Sequence, residues 1–319
     1  MSKQDLTIIP HIVINPTSIV SYNEVISDKP RSRKTTQFID VNRPVEEQTT
    51  FINSKRKSEG KVSVQAKRKI SKAIEYLITT AHQKKVHEKI TGKTVVFKCN
   101  FLTLTLPSKQ IHSDKEIINT CLNSFLNECR KYHNLRNYVW RAELQKNGNI
   151  HFHIVTDVFI PWWDARNRWN RIVNKMGYVD RFHQLHGHRT PNSTDIHSTR
   201  RISNLKAYLM KYMSKDKKED QANETTEEKA RTQDGRIWGC NQELSKTRGL
   251  NLVVDSEIDE QMKKVLSSGK IRKYEGSYFT VWYVDYHYFL TTGAAILFRY
   301  FSEYLYERLH FEEQLTLRA

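Results

Sequence analysis

The sequence places two histidines one residue apart, His151 and His153, with Phe152 between them. Residues 149–158 are rich in apolar and β-branched side chains, which predicts a strand. Side chains two positions apart on a strand share a face, so both imidazoles would lie side by side while Phe152 enters the core. Two adjacent imidazoles can bind a divalent cation. The same spacing also occurs in cross-strand polar pairs and in solvent-facing residues, so the pair alone leaves these alternatives open.

A carboxylate is predicted to join the two histidines. Residues 137–145 form a second predicted strand, and Lys146-Asn147-Gly148 is a favourable hairpin turn between the two strands. An antiparallel hairpin can bring Glu143 to the histidine face. Two imidazole nitrogens and one carboxylate oxygen suit Mg²⁺ or Mn²⁺, with positions left open for phosphate oxygens. The alternative is a surface Glu143 that pairs with a nearby Arg or Lys.

Two tyrosines and two lysines share one face of a predicted helix over residues 199–215. They are spaced i, i+3, i+4 and i+7 and comprise Tyr208, Lys211, Tyr212 and Lys215. A phenol oxygen can act as a nucleophile once its proton is removed, and a nearby ammonium favours the phenolate and balances phosphate charge. Taken alone, a Y-x-x-K pair is more often a packed ring beside a lysine that extends into solvent.

The composition predicts a folded protein that binds a polyanion. The chain has 319 residues, and its 52 Lys and Arg against 35 Asp and Glu give a net charge of +17. Such an excess favours nucleic acid, because Lys and Arg displace counterions from phosphates. An aromatic content of 11% is more than a disordered basic tail usually carries, so most of the chain is expected to fold.

Several classes of protein are excluded by what the sequence lacks. Its four cysteines form no C-x-x-C pair, which argues against a zinc ribbon or a disulfide scaffold and favours a reducing compartment. No P-loop motif is present, so no nucleotide cofactor is expected. The N-terminus does not have the pattern of a signal peptide. The most apolar stretch, 281–305, contains too many charges to span a bilayer, so no membrane partner is expected.

The order of predicted elements indicates an α+β fold on a central antiparallel sheet flanked by helices. The predicted strands are 94–106, 137–145, 149–158 and 276–285, and the predicted helices are 61–90, 114–132, 162–175, 199–215, 257–268 and 286–313. The predicted organisation is a partly ordered extension (1–60), a basic amphipathic helix (61–92), a catalytic domain (93–250) with a mobile loop (216–236), and a mainly helical, aromatic C-terminal region (251–319).

The basic segment around residues 55–72 is the predicted DNA contact. The helix within it has an apolar face and a basic face, and it fits a solvated helix packed on a domain as well as a DNA-binding one. The candidate contacts are Lys55, Arg56, Lys57, Lys67, Arg68 and Lys69.

Three ordered motifs together resemble the HUH endonucleases that initiate rolling-circle replication of small plasmids and single-stranded DNA phages. The strand 101–107 is similar to their first motif, His151-Phe152-His153 to the second, and Tyr208-x-x-Lys211-Tyr212-x-x-Lys215 to the third. Two tyrosines four residues apart resemble the phage type. The resemblance covers about residues 94–215 and implies a ferredoxin- or RRM-like endonuclease fold for the domain.

The resemblance implies a metal-dependent endonuclease that nicks and rejoins one strand of origin DNA. His151, His153 and Glu143 would hold Mg²⁺ or Mn²⁺, and Tyr208 or Tyr212 would form a 5′-phosphotyrosine bond. Lys211 or Lys215 would steady the phenolate or the phosphate, and Thr103 and Thr105 of the first motif are expected at the DNA. The released 3′-hydroxyl would prime a host polymerase in a bacterial cytoplasm, at a single-stranded or hairpin origin that a host helicase opens.

Other interpretations remain open at this point. A non-enzymatic protein that coats single-stranded DNA fits the charge equally well, and a relaxase or transposase of the same superfamily would share the chemistry. A relaxase usually places its tyrosine before its histidines, which favours an initiator here. The cluster of His183, His186 and His188 is interpreted as a solvent-exposed loop, because no cysteine or carboxylate has a suitable spacing for a metal site.

Overall fold

The computed structural model describes residues 7–26, 62–87, 89, 92–198, 204–214, 232–269 and 271–309. The chain divides into two compact units, one formed by residues 58–247 and the other by 1–57 together with 248–319. Each unit contains a five-stranded sheet in which all neighbouring strands are antiparallel. The predicted α+β class, with an antiparallel sheet flanked by helices, is confirmed.

Strands and helices are interspersed along the described part of the chain. The strands are Thr7–Asn15 (β1), Ser18–Ile26 (β2), Lys84–His87 (β3), Thr94–Phe97 (β4), Asn100–Thr105 (β5), Tyr138–Leu144 (β6), Ile150–Thr156 (β7), Thr194–Ser198 (β8), Trp238–Cys240 (β9), Leu250–Val253 (β10), Arg272–Glu275 (β11) and Phe279–Tyr283 (β12). The helices are Val64–Thr80 (α1), Asp114–Glu116 (α2), Asn123–His133 (α3), Trp162–Asn174 (α4), Tyr178–His186 (α5), Leu205–Ser214 (α6), Gln242–Lys246 (α7), Ser256–Ser267 (α8), Tyr288–Thr291 (α9) and Ala295–Leu309 (α10), and a π-helical stretch, Ile117–Leu122, joins α2 to α3.

The histidine strand lies at the centre of the sheet in the unit 58–247. The strand order is β8–β5–β7–β6–β9, so β7 has a partner on each side. β6 and β7 form the predicted hairpin, and Gly148 in its turn has φ +81°, a left-handed conformation that favours glycine. A central strand with both neighbours in place has its register fixed along its whole length.

One face of this sheet is packed into the core of the unit. Phe152 is fully buried, and its ring lies edge-on to Trp140 and Trp169, with centroid distances of 6.4 and 6.0 Å. The indole nitrogen of Trp169 donates a hydrogen bond to the carbonyl of Thr105, which ties α4 to β5. The core therefore holds the residue between the two histidines, as the alternation of the strand predicts.

The predicted basic helix is shorter than expected. α1 ends at Thr80, whose hydroxyl donates to the carbonyl of Tyr76, rather than continuing to residue 90. The following residues form the ribbon β3–β4, because β-branched residues favour extended backbone and Gly92 adopts a left-handed φ of +64°. α1 also belongs to the same compact unit as the predicted catalytic domain, so the boundary placed at residues 92 and 93 does not separate two units.

Other elements differ from the prediction because their partners are distant in sequence. The strand predicted over 94–106 divides into β4, which pairs with β3, and β5, which pairs with β7 and β8. α5 and β8 lie where a loop was predicted, and α6 begins at Leu205 rather than at residue 199. Residues 232–236 of the predicted mobile loop 216–236 carry no regular structure, and the rest of that loop lies outside the described residues.

In the other unit, residues 7–26 of the predicted partly ordered extension form β1 and β2. These strands pair along nine residues, and the sheet continues in the order β10–β1–β2–β12–β11. Ile12, Ile14 and Ile19 of these strands are buried, so apolar side chains stabilise the pairing. The C-terminal region contributes β12, where a strand was predicted over 276–285, together with β10 and β11, and it also contains the helices α8, α9 and α10.

The search for membrane-spanning helices found none in the described part of the chain that is long and apolar enough to cross a bilayer.

Substitution of Phe152 tests the packing beneath the histidine strand. Phe152→Ala should lower the free energy of unfolding by about 3–5 kcal/mol, because it removes a fully buried ring and leaves a cavity. Urea denaturation measures the change, and Ile111→Ala, at a side chain that is 60% exposed, is the control. Equal effects of the two substitutions would contradict the burial of Phe152 in this core.

Candidate active site

Strand register brings one carboxylate and two imidazoles together on the face of β6 and β7 opposite Phe152. Glu143 lies directly opposite His151, and His153 lies two residues further along the same strand. The Nε2 atoms of His151 and His153 are 2.9 Å apart. The Oε2 atom of Glu143 is 3.5 Å from Nε2 of His153 and 3.8 Å from Nε2 of His151. One ligand atom from each residue therefore lies within 4.8 Å of the others, which is the spacing of a possible metal-binding group.

The neighbouring strand β5 fixes the orientation of the His153 ring. The hydroxyl of Thr103 lies 3.2 Å from Nδ1 of His153, directly across the strand pair. Phe101 stacks on the same imidazole, with ring centroids 5.5 Å apart. A ring whose Nδ1 contacts a hydroxyl presents Nε2 to the carboxylate, an arrangement that commonly supports a metal-ligating histidine.

Burial and charge set the protonation of the group. Burial opposes ionisation of Glu143, but the adjacent His151 and His153 rings and the Arg141 guanidinium hold the pKa of this carboxyl below its usual value. Burial lowers the pKa of His153, and the neighbouring His151 and Arg141 lower it further, while Glu143 opposes them. An anionic carboxylate beside a neutral imidazole is the state in which both can donate lone pairs to a cation.

Arg141 connects the carboxylate to the helix that carries the tyrosines. Its Nε donates to Oε1 of Glu143 at 3.1 Å, and its guanidinium also donates to the carbonyl of Met213 at 3.3 Å. The residue is only 5% exposed. A single buried side chain thus contacts both the metal-binding group and the C-terminal end of α6.

The tyrosine helix α6 lies over the same face of the sheet. Leu209 and Met213 are fully buried and anchor the helix. The ring of Tyr212 lies 6.0 Å from the ring of His153 and 5.0 Å from that of Tyr208, measured between centroids. Phe101 contacts both tyrosine rings from below, at 5.2 Å for Tyr212 and 6.3 Å for Tyr208.

The two tyrosines have different surroundings. Burial, the neighbouring Tyr212 and the Asp195 carboxylate raise the pKa of Tyr208. His153 has a ring contact with Tyr212. Of the two lysines predicted on the same helix face, Lys211 is exposed, and Lys215 lies outside the described residues.

Helix α1 packs against α6 from outside the sheet. The ammonium of Lys206 on α6 forms an ion pair with the Glu75 carboxylate on α1. Buried apolar residues of α1, among them Ile70, Ile74 and Leu77, form its inner side. The position of the tyrosines along the sheet therefore depends on a helix that ends some twenty residues before β5 begins.

The residues predicted to bind DNA have mixed surroundings. Thr103 contacts His153, and the hydroxyl of Thr105 donates to the carbonyl of Ser193, so both hydroxyls have protein contacts. Arg68 and Lys69 are exposed on α1, and Lys67 is half-buried. Lys55, Arg56 and Lys57 lie outside the described residues. Contact with DNA stays a prediction for all of these positions.

Arg141 is the residue of this group that the sequence analysis missed. It lies two positions before Glu143 on the same strand, so the alternation that placed the glutamate also places the arginine on that face. Its contact with α6 had no local signal, because Arg141 and Met213 are 72 residues apart.

The donor set fits a divalent cation. Two imidazole nitrogens and a carboxylate oxygen converge, and Nδ1 of His151 is buried without a hydrogen-bond partner among the described residues. Three ligands of this kind leave coordination positions open for oxygen atoms of a substrate. The ring of Tyr212 on α6 lies beside this group.

Comparison with known protein families found one match. Residues 99–217 match the family model of the replication-associated protein ORF2/gene 2 protein, over somewhat more than a third of the chain. The match spans β5 to α6 and so includes Glu143, both histidines and both tyrosines. Comparisons with curated proteins and with solved structures each found no match. The similarity supports a replication-associated protein.

Mn²⁺ binding tests the metal-binding group. His153→Ala should remove the binding seen by calorimetry, and Thr103→Val should weaken it about tenfold or more, because the ring loses the hydroxyl that orients it. Thr105→Val is the matched control, since its hydroxyl contacts the Ser193 carbonyl instead of a histidine. Equal losses in Thr103→Val and Thr105→Val would rule out the orienting contact.

A double-mutant cycle tests the Arg141–Glu143 pair. Arg141→Met should lower the free energy of unfolding by about 1–3 kcal/mol, because the partly buried Glu143 loses its charged partner. Adding Glu143→Gln should restore part of this loss, since the unpaired charge disappears. Urea denaturation of the four proteins measures the coupling, and strictly additive effects would contradict it.

Proposed function

We propose that this protein initiates rolling-circle replication by nicking and rejoining one strand of origin DNA through a covalent bond to tyrosine. It would belong to the HUH endonucleases of the two-tyrosine type. The observation that carries the proposal is the position of the Tyr212 ring beside His153. His153 belongs to the group of two imidazoles and one carboxylate that could hold a metal ion. The match of residues 99–217 to a replication-associated family supports the same interpretation.

The reaction follows from the groups that face one another. A scissile phosphate held at the imidazole–carboxylate group would present its phosphorus to the Tyr212 oxygen. That oxygen forms the new P–O bond and loses its proton to solvent, while the P–O3′ bond breaks and the leaving oxygen takes up a proton. The products are a 5′-phosphotyrosine and a free 3′-hydroxyl, and no water enters the bond exchange.

A divalent ion, Mg²⁺ or Mn²⁺, would polarise the phosphoryl oxygens and balance the charge that develops on them. Glu143, His151 and His153 would hold it, and Thr103 would keep the His153 ring in place. Arg141 would hold Glu143 in its charged, ligating position. Lys211 would supply a positive charge near the phenolate from the exposed side of α6.

The second tyrosine gives the reaction a second acceptor. While Tyr212 is linked to DNA, Tyr208 on the next turn of α6 could attack a second origin phosphate. A 3′-hydroxyl can then attack the first phosphotyrosine and rejoin the strand without ATP, because the covalent link retains the energy of the phosphodiester bond. The position of the Tyr212 ring beside His153 favours Tyr212 as the first nucleophile.

The proposed chemistry defines the partners of the protein. The scissile segment must be single-stranded to reach both the imidazole group and α6, so the substrate is an unwound or hairpin origin. The chain has no P-loop, so strand separation would come from a host helicase or superhelical strain, and a host polymerase would extend the 3′-hydroxyl. These partners place the reaction in the cytoplasm of a bacterial host.

A covalent adduct assay tests the tyrosines. Labelled single strands from the replicon that encodes this chain are incubated with the protein and Mn²⁺ and resolved under denaturing conditions. Wild-type protein should yield a protein–DNA adduct, Tyr212→Phe should abolish the first cleavage, and Tyr208→Phe should nick but fail to complete the second transfer. His153→Ala should lose cleavage while retaining DNA binding.

The control is Tyr278→Phe, at a side chain that is 90% exposed in the other unit. An adduct that survives in the Tyr208→Phe, Tyr212→Phe double variant would refute the tyrosine assignment. DNA binding without any adduct in the wild-type protein would favour the non-enzymatic, single-stranded DNA-binding alternative.

A further inference from the structure

The ribbon β3–β4 is a strongly basic surface element that lies outside the family match. Residues 84–98 contain five lysines and a single acidic residue, Glu88. Lys85, Lys89 and Lys93 are exposed. No acidic side chain in the described part of the chain forms an ion pair with Lys85 or Lys89. Lys85 and Lys89 therefore carry positive charge that no ion pair within the described residues offsets.

The base of the ribbon is attached to the far end of the histidine strand. Nζ of Lys84 donates to the carbonyl of Asp157 at 3.1 Å, one residue past the end of β7. β4 leads into β5, whose first residue, Asn100, pairs with Thr156, whereas Thr105 at its other end pairs with His151. Three steps of strand thus separate the base of the ribbon from His153 and five separate it from His151, which is about 10–17 Å.

We propose that this basic ribbon binds the phosphate backbone of duplex DNA beside the single-stranded segment, so that the substrate is a junction between duplex and single strand. The inference rests on the proposed function for the identity of the substrate. At about 3.4 Å per step of a duplex strand, a separation of about 10–17 Å at the base of the ribbon corresponds to phosphates roughly three to five positions from the scissile phosphate.

The chemistry of the ribbon favours duplex over single-stranded DNA. Proteins that hold single strands stack bases on several aromatic side chains, whereas residues 84–98 contain a single one, Phe97 at the end of β4 next to β5. Lysine contacts with phosphates are independent of sequence and suit a regular backbone. A two-stranded ribbon also has dimensions that the major groove admits.

The test compares two DNA probes with a charge-matched pair of variants. One probe is a single-stranded oligonucleotide, and the other is the same strand joined to a hairpin of about one helical turn of duplex, roughly 10 base pairs. The test variant of the full chain is Lys85→Gln, Lys89→Gln, Lys93→Gln. The control is Lys263→Gln, Lys264→Gln, Lys273→Gln, which removes the same charge from lysines that are already paired with Asp259, Glu260 and Glu275.

Binding is measured over a range of salt concentrations in EDTA, so that no cleavage is needed. The ribbon variant should bind the junction at least tenfold more weakly than the control variant does. The slope of log binding constant against log salt concentration should also become shallower by about two to three, because each lost phosphate contact contributes about 0.9. Both variants should bind the single strand within twofold of wild type. Equal binding of the junction by the two variants, or equal loss on both probes, would overturn the inference.

The same measurements separate this inference from the proposed function. Suppose that wild-type protein forms no covalent adduct, but the ribbon variant still loses binding to the junction probe and keeps binding to the single strand. The proposed nicking reaction is then wrong, and the duplex contact stands. If the adduct forms on single strands in both variants and the junction gives no difference, then the reaction stands and the ribbon has no role in binding.

Discussion

The candidate site depends on the two-residue alternation of strand β7. The alternation sends His151 and His153 to one face and Phe152 to the other, where the ring is buried against Trp140 and Trp169. A slip of one residue would place both imidazoles in the apolar core and Phe152 in the open site. The packing of Phe152 and the pairing of β7 with strands on both sides make that slip unfavourable, so the stability of the core and the geometry of the site have the same origin.

The tyrosine helix is positioned by contacts of three different kinds. Leu209 and Met213 bury its underside, Lys206 pairs with Glu75 on α1, and the Arg141 guanidinium meets its last turn at the Met213 carbonyl. Because Arg141 also contacts Glu143, a shift of the helix end would disturb the carboxylate as well. α1 precedes the segment that matches the replication-associated family, so part of this support lies outside the matched residues.

Local patterns in the sequence were sufficient for the elements that carry the site, and insufficient where the partners are distant. The hairpin β6–β7 and the shared face of Glu143, His151 and His153 follow from alternation and from a turn at Gly148. The Arg141–Met213 contact and the pairing of β5 with β8 join residues separated by some 70 to 100 positions, which no local period reveals. The sequence of β1, by contrast, is itself rich in β-branched residues, but Pro10 and His11 interrupt its apolar run.

Two tyrosines on one helix need not be equivalent. A spacing of four residues places them on the same face of the helix, but at different positions along its axis and beside different neighbours. One turn of helix advances about 5.4 Å, and here that step separates a ring beside His153 from a ring near Asp195. Ionisation of Tyr208 is opposed by burial and by the Asp195 carboxylate. In the proposed reaction this difference gives the tyrosines an order. The phenol beside the imidazoles reacts first, and the other is left for the second transfer.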